Sequence, residues 1–285
     1  MKTLPPPSFA PGVAIKVEPG LRRILAPNPG PMTLWGTNTY LVGTGEVALL
    51  DPGPDMEDHL AAILAALGPG ERIVQIIVSH AHKDHLGLAE RAKETTGAPI
   101  IGWQAPDAPF RPDIALSDGQ ILQGPDWQLE TIHTPGHTDD HVCFGFRDVC
   151  LTADHVMGWS SSVIIPPRGD VADYIASLEK LAARDWRRLH SAHGDPMEDP
   201  AERLAYLIRH RIAREDSIVK ALHRRPMTLE ALVSQLYATT PRNLHGAATR
   251  NVEAHLVHLL RTGRVSLDEA SACYETVRDE LSSSG

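Results

Sequence analysis

A histidine-rich segment of the chain carries the residue types that bind metal ions. It places His80, His82, Asp84 and His85 within six residues, in the spacing H-x-H-x-D-H. His80 and His82 alternate along an extended backbone and share a side, while Asp84 and His85 follow at a turn and can face the same cavity. Zinc favours imidazole nitrogen and carboxylate oxygen, and a catalytic zinc site keeps one position for water. The segment therefore predicts a metal-dependent active site.

The elements around this segment follow a strand-and-helix pattern. Short apolar runs separated by turn residues fill the first 155 residues and predict strands. Helical spacing interrupts them at 59–67 and 88–96, each closed by glycine. The histidine-rich segment follows one of these strands and opens a helix. This order predicts an α/β layered domain with helices on the outer faces of sheets.

The last third of the chain has a different pattern. After Asp195-Pro196 the sequence becomes mainly helical, so we predict a catalytic domain over residues 1–200 and a second domain over residues 201–285. Helices are expected at 201–222, 229–237 and about 244–261, and a two-stranded wing at 265–277. One apolar stripe marks the last helix, formed by Leu244, Ala248, Val252, Leu256 and Leu259. The tail is thus expected to be a small winged-helix-like module.

Composition and charge exclude several classes of protein. The 285 residues are 42% apolar and 22% charged, which does not suit disorder, collagen or a coiled coil. Net charge is −9; residues 201–285 hold 12 Lys and Arg against 10 Asp and Glu, or +2, which leaves −11 for residues 1–200. The acidic first part repels polyanions at long range. No 18-residue apolar window or secretory signal is found, so we expect a cytoplasmic protein without a membrane span.

The motifs that follow in the chain resemble those of the metallo-β-lactamase-fold hydrolases. Besides the histidine-rich segment, they are Asp51-Pro52-Gly53, Thr134-Pro135-Gly136-His137-Thr138, Thr152-Ala153-Asp154-His155 and Ser191-Ala192-His193-Gly194. All occur in the order of the family. The resemblance implies an αββα sandwich followed by the winged-helix-like tail. Two common glycines of the family are Ala153 and Ala192 here.

The resemblance also implies a pair of metal ions. The first ion falls to His80, His82 and His137, the second to Asp84, His85 and His193, and Asp154 bridges the two. Asp84 and Asp154 are the expected catalytic carboxylates, and two zinc ions are the expected cofactors, with manganese or iron as alternatives.

Other residues near these ligands are expected to support the site. Asp51 is predicted to orient a ligand or a loop, because a carboxylate that accepts the distal N–H of an imidazole fixes its tautomer. Thr138 and His141 are candidates for the same surrounding shell. The segment Trp159-Ser160-Ser161-Ser162 follows the bridging aspartate and is expected to lie in a substrate-binding loop.

The expected chemistry is hydrolysis. Two zinc ions lower the pKa of a bridging water and polarise the electrophile. Oxygen-reducing members of the superfamily carry a di-iron site and resemble H-x-E-x-D, whereas this chain has His82 at that position. A neutral ligand in place of a carboxylate removes charge that stabilises ferric iron, so we favour zinc.

A narrower resemblance extends into the tail. The segments 35–43, 134–141 and Thr240-Pro241-Arg242-Asn243-Leu244-His245 are similar to the subgroup known as β-lactamase-like protein two, whose members carry a winged-helix-like domain. The animal representative cleaves single-stranded RNA, which implies phosphodiester hydrolysis here. The alternatives are a carboxylic ester, thioester or lactone hydrolase with glyoxalase-II-like chemistry, and a nucleic-acid-binding regulator.

Partners follow from these alternatives. The substrate is expected to be a small molecule or single-stranded RNA, and a homodimer is conceivable. Arg242, Asn243 and Arg250 are the tail residues expected to contact RNA. The tail can instead cap the mouth of the active site or form a dimer surface. Because every predicted ligand precedes it, its deletion is expected to leave metal binding measurable.

Overall fold

The computed structural model describes residues 9–106, 108–241 and 245–277. Arg242 and Asn243, which are predicted to contact RNA, lie outside these residues, as does Leu244 of the predicted apolar stripe. Strands occupy most of the first two thirds of the chain, and helices predominate in the last third. No helix among the described residues combines the length and the apolar character needed to cross a membrane.

The apolar runs of the first 115 residues form one seven-stranded sheet in chain order. Its strands are β1 (Ile15–Glu18), β2 (Leu21–Leu25), β3 (Asn38–Val42), β4 (Glu46–Leu50), β5 (Arg72–Val78), β6 (Ile100–Gly102) and β7 (Ile114–Ala115). The first four strands pair antiparallel, and β4 to β7 pair parallel. The histidine-rich segment begins at the carboxyl end of β5.

A second sheet has five strands in the order β12-β11-β10-β9-β8. They are β8 (Ile121–Gln123), β9 (Gln128–His133), β10 (Val142–Phe146), β11 (Val149–Ala153) and β12 (Arg188–Ser191). Only β11 and β12 pair parallel in this sheet. Because β9 and β11 both run antiparallel to β10, the carboxyl ends of β9, β11 and β12 reach the same edge.

Apolar side chains on both faces of each sheet produce four layers. Leu50, Ile77, Phe144 and Leu151 belong to the core between the sheets. Helices α1 (Glu57–Ala65) and α3 (Ala89–Thr96) cover the outer face of the first sheet, with the one-turn α2 (Lys83–Leu86) between them, and α4 (Val171–Ala182) covers the second sheet. The predicted αββα sandwich is confirmed.

The tail contains three helices and a wing. They are α5 (Pro200–Arg224), α6 (Leu229–Leu236), α7 (His245–Arg261) and the antiparallel pair β13 (Val265–Asp268) and β14 (Cys273–Thr276). Val252, Leu256 and Leu259 of the predicted stripe are buried together with Ile218 and Leu232. The predicted winged-helix-like architecture is confirmed.

Helix α5 contributes to two cores. It begins at Pro200, where Asp199 caps the helix by accepting a hydrogen bond from the Glu202 N–H. Leu204 and Leu207 pack with α4 and the second sheet, whereas the far half of the helix joins the tail core. The domain division at residue 200 stays a prediction, and the helix that begins there links the two parts.

Candidate metal centre

The seven predicted ligands converge because four strand ends deliver them. His80, His82, Asp84 and His85 follow β5, His137 follows β9, Asp154 follows β11 and His193 follows β12. Their side chains form two groups, within each of which the ligand atoms all lie within 4.8 Å of one another. The first group contains His80, His82, His137 and Asp154, and the second contains Asp84, His85 and His193.

In the first group, three imidazole nitrogens meet. His82 Nδ1 lies 2.9 Å from His80 Nε2 and 3.1 Å from His137 Nε2. Asp154 Oδ2 lies 3.6 Å from His137 Nε2 and 3.9 Å from His80 Nε2. The three imidazole nitrogens and the carboxylate oxygen therefore lie close enough together to bind a single metal ion.

The second group shares Asp154 with the first. Asp154 Oδ1 lies 3.2 Å from His193 Nε2 and 3.5 Å from His85 Nε2. Asp84 Oδ2 lies 3.3 Å and 3.6 Å from the same two nitrogens. The two oxygens of Asp154 therefore face different groups, which is the arrangement expected of a bridging carboxylate.

Backbone carbonyls fix the tautomers of two ligands. His137 Nδ1 donates to the Val163 carbonyl at 2.6 Å, and His193 Nδ1 donates to the Gly36 carbonyl at 3.0 Å. A carbonyl only accepts, so Nδ1 must carry the hydrogen in both rings. The Nε2 lone pair of each ring is then left for a metal ion.

Asp51 orients one histidine in each group. Its Oδ2 accepts from His85 Nδ1 at 2.9 Å and from the Ser79 hydroxyl at 2.8 Å. Since the hydroxyl hydrogen is used on Asp51, Ser79 Oγ accepts from His80 Nδ1 at 3.0 Å. Asp51 is buried between the two contacts. The carboxylate thus orients Nε2 of both rings away from Asp51 and toward the centre of each group.

The charge states of the first group suit metal binding directly, whereas a metal ion in the second group must displace a proton from His193. Burial, reinforced by neighbouring imidazoles, holds the pKa of His80 well below its usual value and lowers the pKa of His82 to about 4. Burial alone would raise the pKa of Asp154, but His193 and His85 hold it well below its usual value. For His193, burial is outweighed by Asp154 and Asp84, which raise the pKa to about 9. The first group is neutral imidazole beside an ionised carboxylate, the forms that bind cations.

The donor set fits a pair of divalent cations. The lone pairs of His80 and His137 both face His82 Nδ1, which can donate a hydrogen to only one of them. His85 Nε2 and Asp154 Oδ1 are buried and have no hydrogen-bond partner among the described residues. A cation in each group would satisfy these atoms, which are otherwise costly to bury.

We expect Asp51→Asn to weaken metal binding by about 10- to 100-fold, the usual cost of losing an outer-shell partner. The asparagine keeps the shape of Asp51 but has only one acceptor oxygen, so it cannot accept from the Ser79 N–H, the Ser79 hydroxyl and His85 together. Competition with a chromophoric chelator measures the affinity. The control is Asp195→Asn, an exposed partner of Arg23; equal affinities in both variants would contradict the role of Asp51.

The other predicted residues lie around the two groups. His141 is buried, with its ring centroid 5.0 Å from that of His80 and its Nδ1 3.0 Å from the Thr134 hydroxyl. Thr138 is buried beside a cavity that His82 and His137 line. Trp159 lies against Gly194, next to the ligand His193, and Ser160 lines a second cavity with it.

The two departures from the family pattern differ in backbone conformation. Ala153, directly before the bridging aspartate, has φ of 42°, in the left-handed region that favours glycine. Ala192 has no positive φ. The first substitution therefore carries strain beside a ligand, and the second does not.

Three further residues lie near the centre, and one of them, Arg168, belongs to no motif of the sequence. Asp140 accepts a hydrogen bond from the Ala81 N–H, between two ligands, and pairs with Arg168 at 2.9 Å. The Ser162 hydroxyl lies 3.0 Å from His137 Nδ1. The position of Asp140 within the His137 motif was a usable signal, and Ser162 belongs to the segment predicted to form the substrate loop, whereas Arg168 lies in an irregular loop without a pattern.

Comparison with known proteins agrees with this geometry. Residues 32–193 match the Metallo-beta-lactamase superfamily, and residues 228–272 match the Beta-lactamase associated winged helix domain. The chain is 33% identical over 271 residues to the Beta-lactamase-like protein 2 homolog of Drosophila melanogaster, covering 87% of this chain and 90% of that protein. It is 30% identical over 251 residues to an Atrochrysone carboxyl ACP thioesterase of Aspergillus chevalieri, covering 80% and 77%.

Solved structures share the fold over almost the whole chain. A metallo-beta-lactamase family protein from Thermus thermophilus has a TM-score of 0.77 at 24% identity, covering 92% of this chain and 100% of that one. A beta-lactamase domain protein from Burkholderia ambifaria has a TM-score of 0.82 at 19% identity, covering 95% and 96%. With the sequence matches, they show that this chain belongs to the metallo-beta-lactamase superfamily of hydrolases.

Proposed function

We propose that the protein is a dinuclear zinc hydrolase that cleaves an ester or thioester bond of a largely apolar acyl substrate. The observation that carries this proposal is the lining of the cavity beside the metal centre. This cavity of about 280 Å³ is lined by His82, His137, Thr138, Ile165, Pro166, Pro167 and Arg168. Apart from the ligands and one threonine, it presents apolar side chains and a single cation.

That cation is already neutralised. Arg168 lies 2.6 Å from Asp139 Oδ1 and 2.9 Å from Asp140 Oδ1. A polyanionic substrate would have to displace these carboxylates, whereas an acyl chain meets Ile165 and the two prolines. The cavity therefore favours an uncharged group over a phosphodiester.

A second cavity, of about 210 Å³, is lined in part by Val163, whose carbonyl accepts a hydrogen bond from His137. Its lining contains no charged side chain among the described residues and is formed by Pro31, Met32, Met157, Trp159, Ser160, Ser161, Val163, Tyr237, Thr240, Ala247, Ala248 and Asn251. Apolar groups with scattered hydroxyls and one amide suit a chain that carries carbonyl groups. The name of the Aspergillus relative, a thioesterase, supports the same class of substrate.

Zinc is the metal that the donor set favours, because five imidazoles and two carboxylates provide nitrogen and oxygen ligands with little negative charge. When bound, the two ions would lower the pKa of a water between them and polarise the acyl carbonyl. Manganese or iron are the alternatives, and elemental analysis of the purified protein distinguishes the three.

The residues of the chain prepare the site for this reaction. Asp51 and the Gly36 carbonyl hold Nδ1 of His85 and His193, so that Nε2 of each ring faces Asp154. Asp84 stays ionised, because burial is outweighed by the contacts with His193 and His85, which lower its pKa to about 2. Its Oδ1 has no hydrogen-bond partner within the described part of the chain and can accept a hydrogen bond from the attacking water, which would orient that water.

Cleavage of single-stranded RNA is the second candidate. The resemblance to the β-lactamase-like protein two subgroup favours it, and the relative in Drosophila melanogaster bears that name. Of the tail residues expected to contact RNA, Arg250 is described, and its pairing with Glu253 at 2.8 Å weakens this candidate. Binding of RNA through phosphates requires cations that are free to contact them.

The decisive experiment compares both substrate classes on the full-length, zinc-loaded protein. We expect hydrolysis of acyl thioesters of pantetheine and no cleavage of a single-stranded RNA oligonucleotide beyond that of an Asp154→Ala preparation. Efficient RNA cleavage without thioester hydrolysis would reverse the order of the two candidates.

Ile165→Asp tests the acyl cavity directly. Ile165 is a large apolar residue that is 44% exposed and lines the cavity, so burying an acyl chain against it contributes about 1–2 kcal/mol. We expect about a tenfold increase in KM for a long-chain thioester, with the metal content unchanged. Ile212→Asp, at a similarly exposed position on α5, is the matched control and should leave KM unchanged. The same KM in both variants would argue against acyl binding in this cavity.

A further inference from the structure

Helix α5 carries a row of arginines that have no carboxylate partner. Arg203, Arg211 and Arg214 form no ion pair within 4.0 Å among the described residues. Arg211 is only 2% exposed, and it has the largest volume of the fully buried side chains in the described structure. Burying a guanidinium without an ion-pair partner costs free energy of folding. We therefore expect its contacts to have an effect that a leucine at this position could not reproduce.

Two of these arginines, Arg203 and Arg211, contact the loop that follows Asp154. Arg211 Nη2 donates to the Ser162 carbonyl, and Arg203 Nη2 donates to the Ser160 carbonyl at 2.6 Å. The Arg211 guanidinium also lies 4.9 Å from the centre of the Tyr174 ring. Two fixed donors of one helix therefore hold residues 160–162, which we term the held loop.

The held loop in turn contacts a metal ligand. The Ser162 hydroxyl lies 3.0 Å from His137 Nδ1, and the next residue, Val163, accepts from the same nitrogen at 2.6 Å. One peptide unit thus joins the carbonyl that Arg211 binds to the carbonyl that sets the tautomer of His137. A displacement of the loop would release that tautomer.

We propose that Arg211, assisted by Arg203, is a positioning residue for His137, through which α5 of the tail determines the geometry of the first metal group. The proposal depends on the metal centre but not on the identity of the substrate. The tail would thereby contribute to metal binding, although every predicted ligand precedes it in the sequence.

Arg211 also orients a residue of the second cavity. Its Nη1 donates to Asn251 Oδ1 at 3.2 Å, which fixes the orientation of the amide, and Asn251 lines that cavity. The same guanidinium therefore connects α7, the held loop and the first metal group. Lysine, with a single ammonium, cannot reproduce this fork.

The test is metal binding by the full-length protein with Arg211→Met, Arg211→Lys and the control Arg214→Met. Arg214 lies three residues further on the same helix and stacks 4.3 Å from the centre of the Tyr237 ring, with no hydrogen bond to the held loop. Zinc affinity is measured by chelator competition, and the ligand geometry by the visible spectrum of the cobalt-substituted protein. We expect Arg211→Met to weaken one of the two sites by about tenfold and to change the cobalt spectrum. Arg211→Lys should be intermediate, and Arg214→Met should match the parent.

Unchanged zinc affinity and cobalt spectrum in a folded Arg211→Met protein would overturn the proposal, as would equal losses in Arg211→Met and Arg214→Met. If Arg211→Met does not fold, the half-buried Arg203 decides the question. Arg203→Met removes the contact with Ser160 and should weaken the same site by a smaller factor; parent-like affinity and spectrum there would overturn the proposal as well. Because the readout is the metal alone, a negative result in the thioester assay leaves this test intact.

Discussion

Asp154→Ala is expected to bind one metal ion instead of two and to lose about 10²-fold or more of the hydrolytic rate. The reason is the division of its oxygens: Oδ2 faces the first group, whereas Oδ1 faces His85 and His193 of the second. Alanine leaves the second group with a single carboxylate, Asp84. It also leaves the two groups without a common ligand.

Elemental analysis and thioester turnover measure the two effects in one preparation. Asp148→Asn, an exposed aspartate that pairs with Arg187, is the control and should retain both ions. Two bound ions with near-normal turnover in Asp154→Ala would show that another residue bridges the groups.

Truncation after residue 200 is expected to prevent stable folding, whereas a chain that ends at residue 225 should fold and bind metal. The shorter chain loses Leu204 and Leu207, both fully buried against α4 and the second sheet. Removing a buried leucine side chain costs about 2–5 kcal/mol, and a typical domain has only about 5–15 kcal/mol of stability. The chain that ends at residue 200 also loses Arg211 and the hydrogen bond of Arg211 to the held loop.

Thermal unfolding followed by circular dichroism, with metal content measured on the same samples, compares the two truncations. A chain of residues 1–200 that melts near the full-length protein and binds two ions would show that α5 is dispensable. The sequence alone led to the opposite expectation, that metal binding survives deletion of the whole tail, because it shows where the ligands lie but not which core α5 completes.

The histidine-rich segment and the layers were predictable because their signals are local, whereas the assignment of His137, Asp154 and His193 as ligands rested on the resemblance to the family. His80, His82, Asp84 and His85 lie within six residues, and the strands that deliver the other ligands are short apolar runs closed by turns. The link between Arg211 and Ser162 was not predictable, since it spans 49 residues and joins a helix to an irregular loop. An arginine on a long helix has the same sequence pattern whether it faces water or is buried.

The substrate was the least predictable feature. Charge distribution left a tail of +2 as the expected contact for a polyanion. In the structure, Arg168 forms ion pairs with Asp139 and Asp140. Arg250 forms an ion pair with Glu253. The net charge of a segment does not reveal such local pairing. The proposal of an acyl substrate therefore rests on the residues that line the cavities and not on composition.

Ala153 illustrates how the site can change during evolution. Its left-handed backbone costs on the order of 1–2 kcal/mol in the folded protein, which glycine would avoid. Glycine, however, gives the unfolded chain more freedom and so lowers stability by about 0.4–1 kcal/mol. The two effects oppose each other, and the strain of alanine at a positive φ is the larger. Glycine would therefore stabilise the fold at this position, so a replacement of glycine by alanine directly before Asp154, the predicted bridging residue, is tolerated only where other interactions of the fold offset that cost.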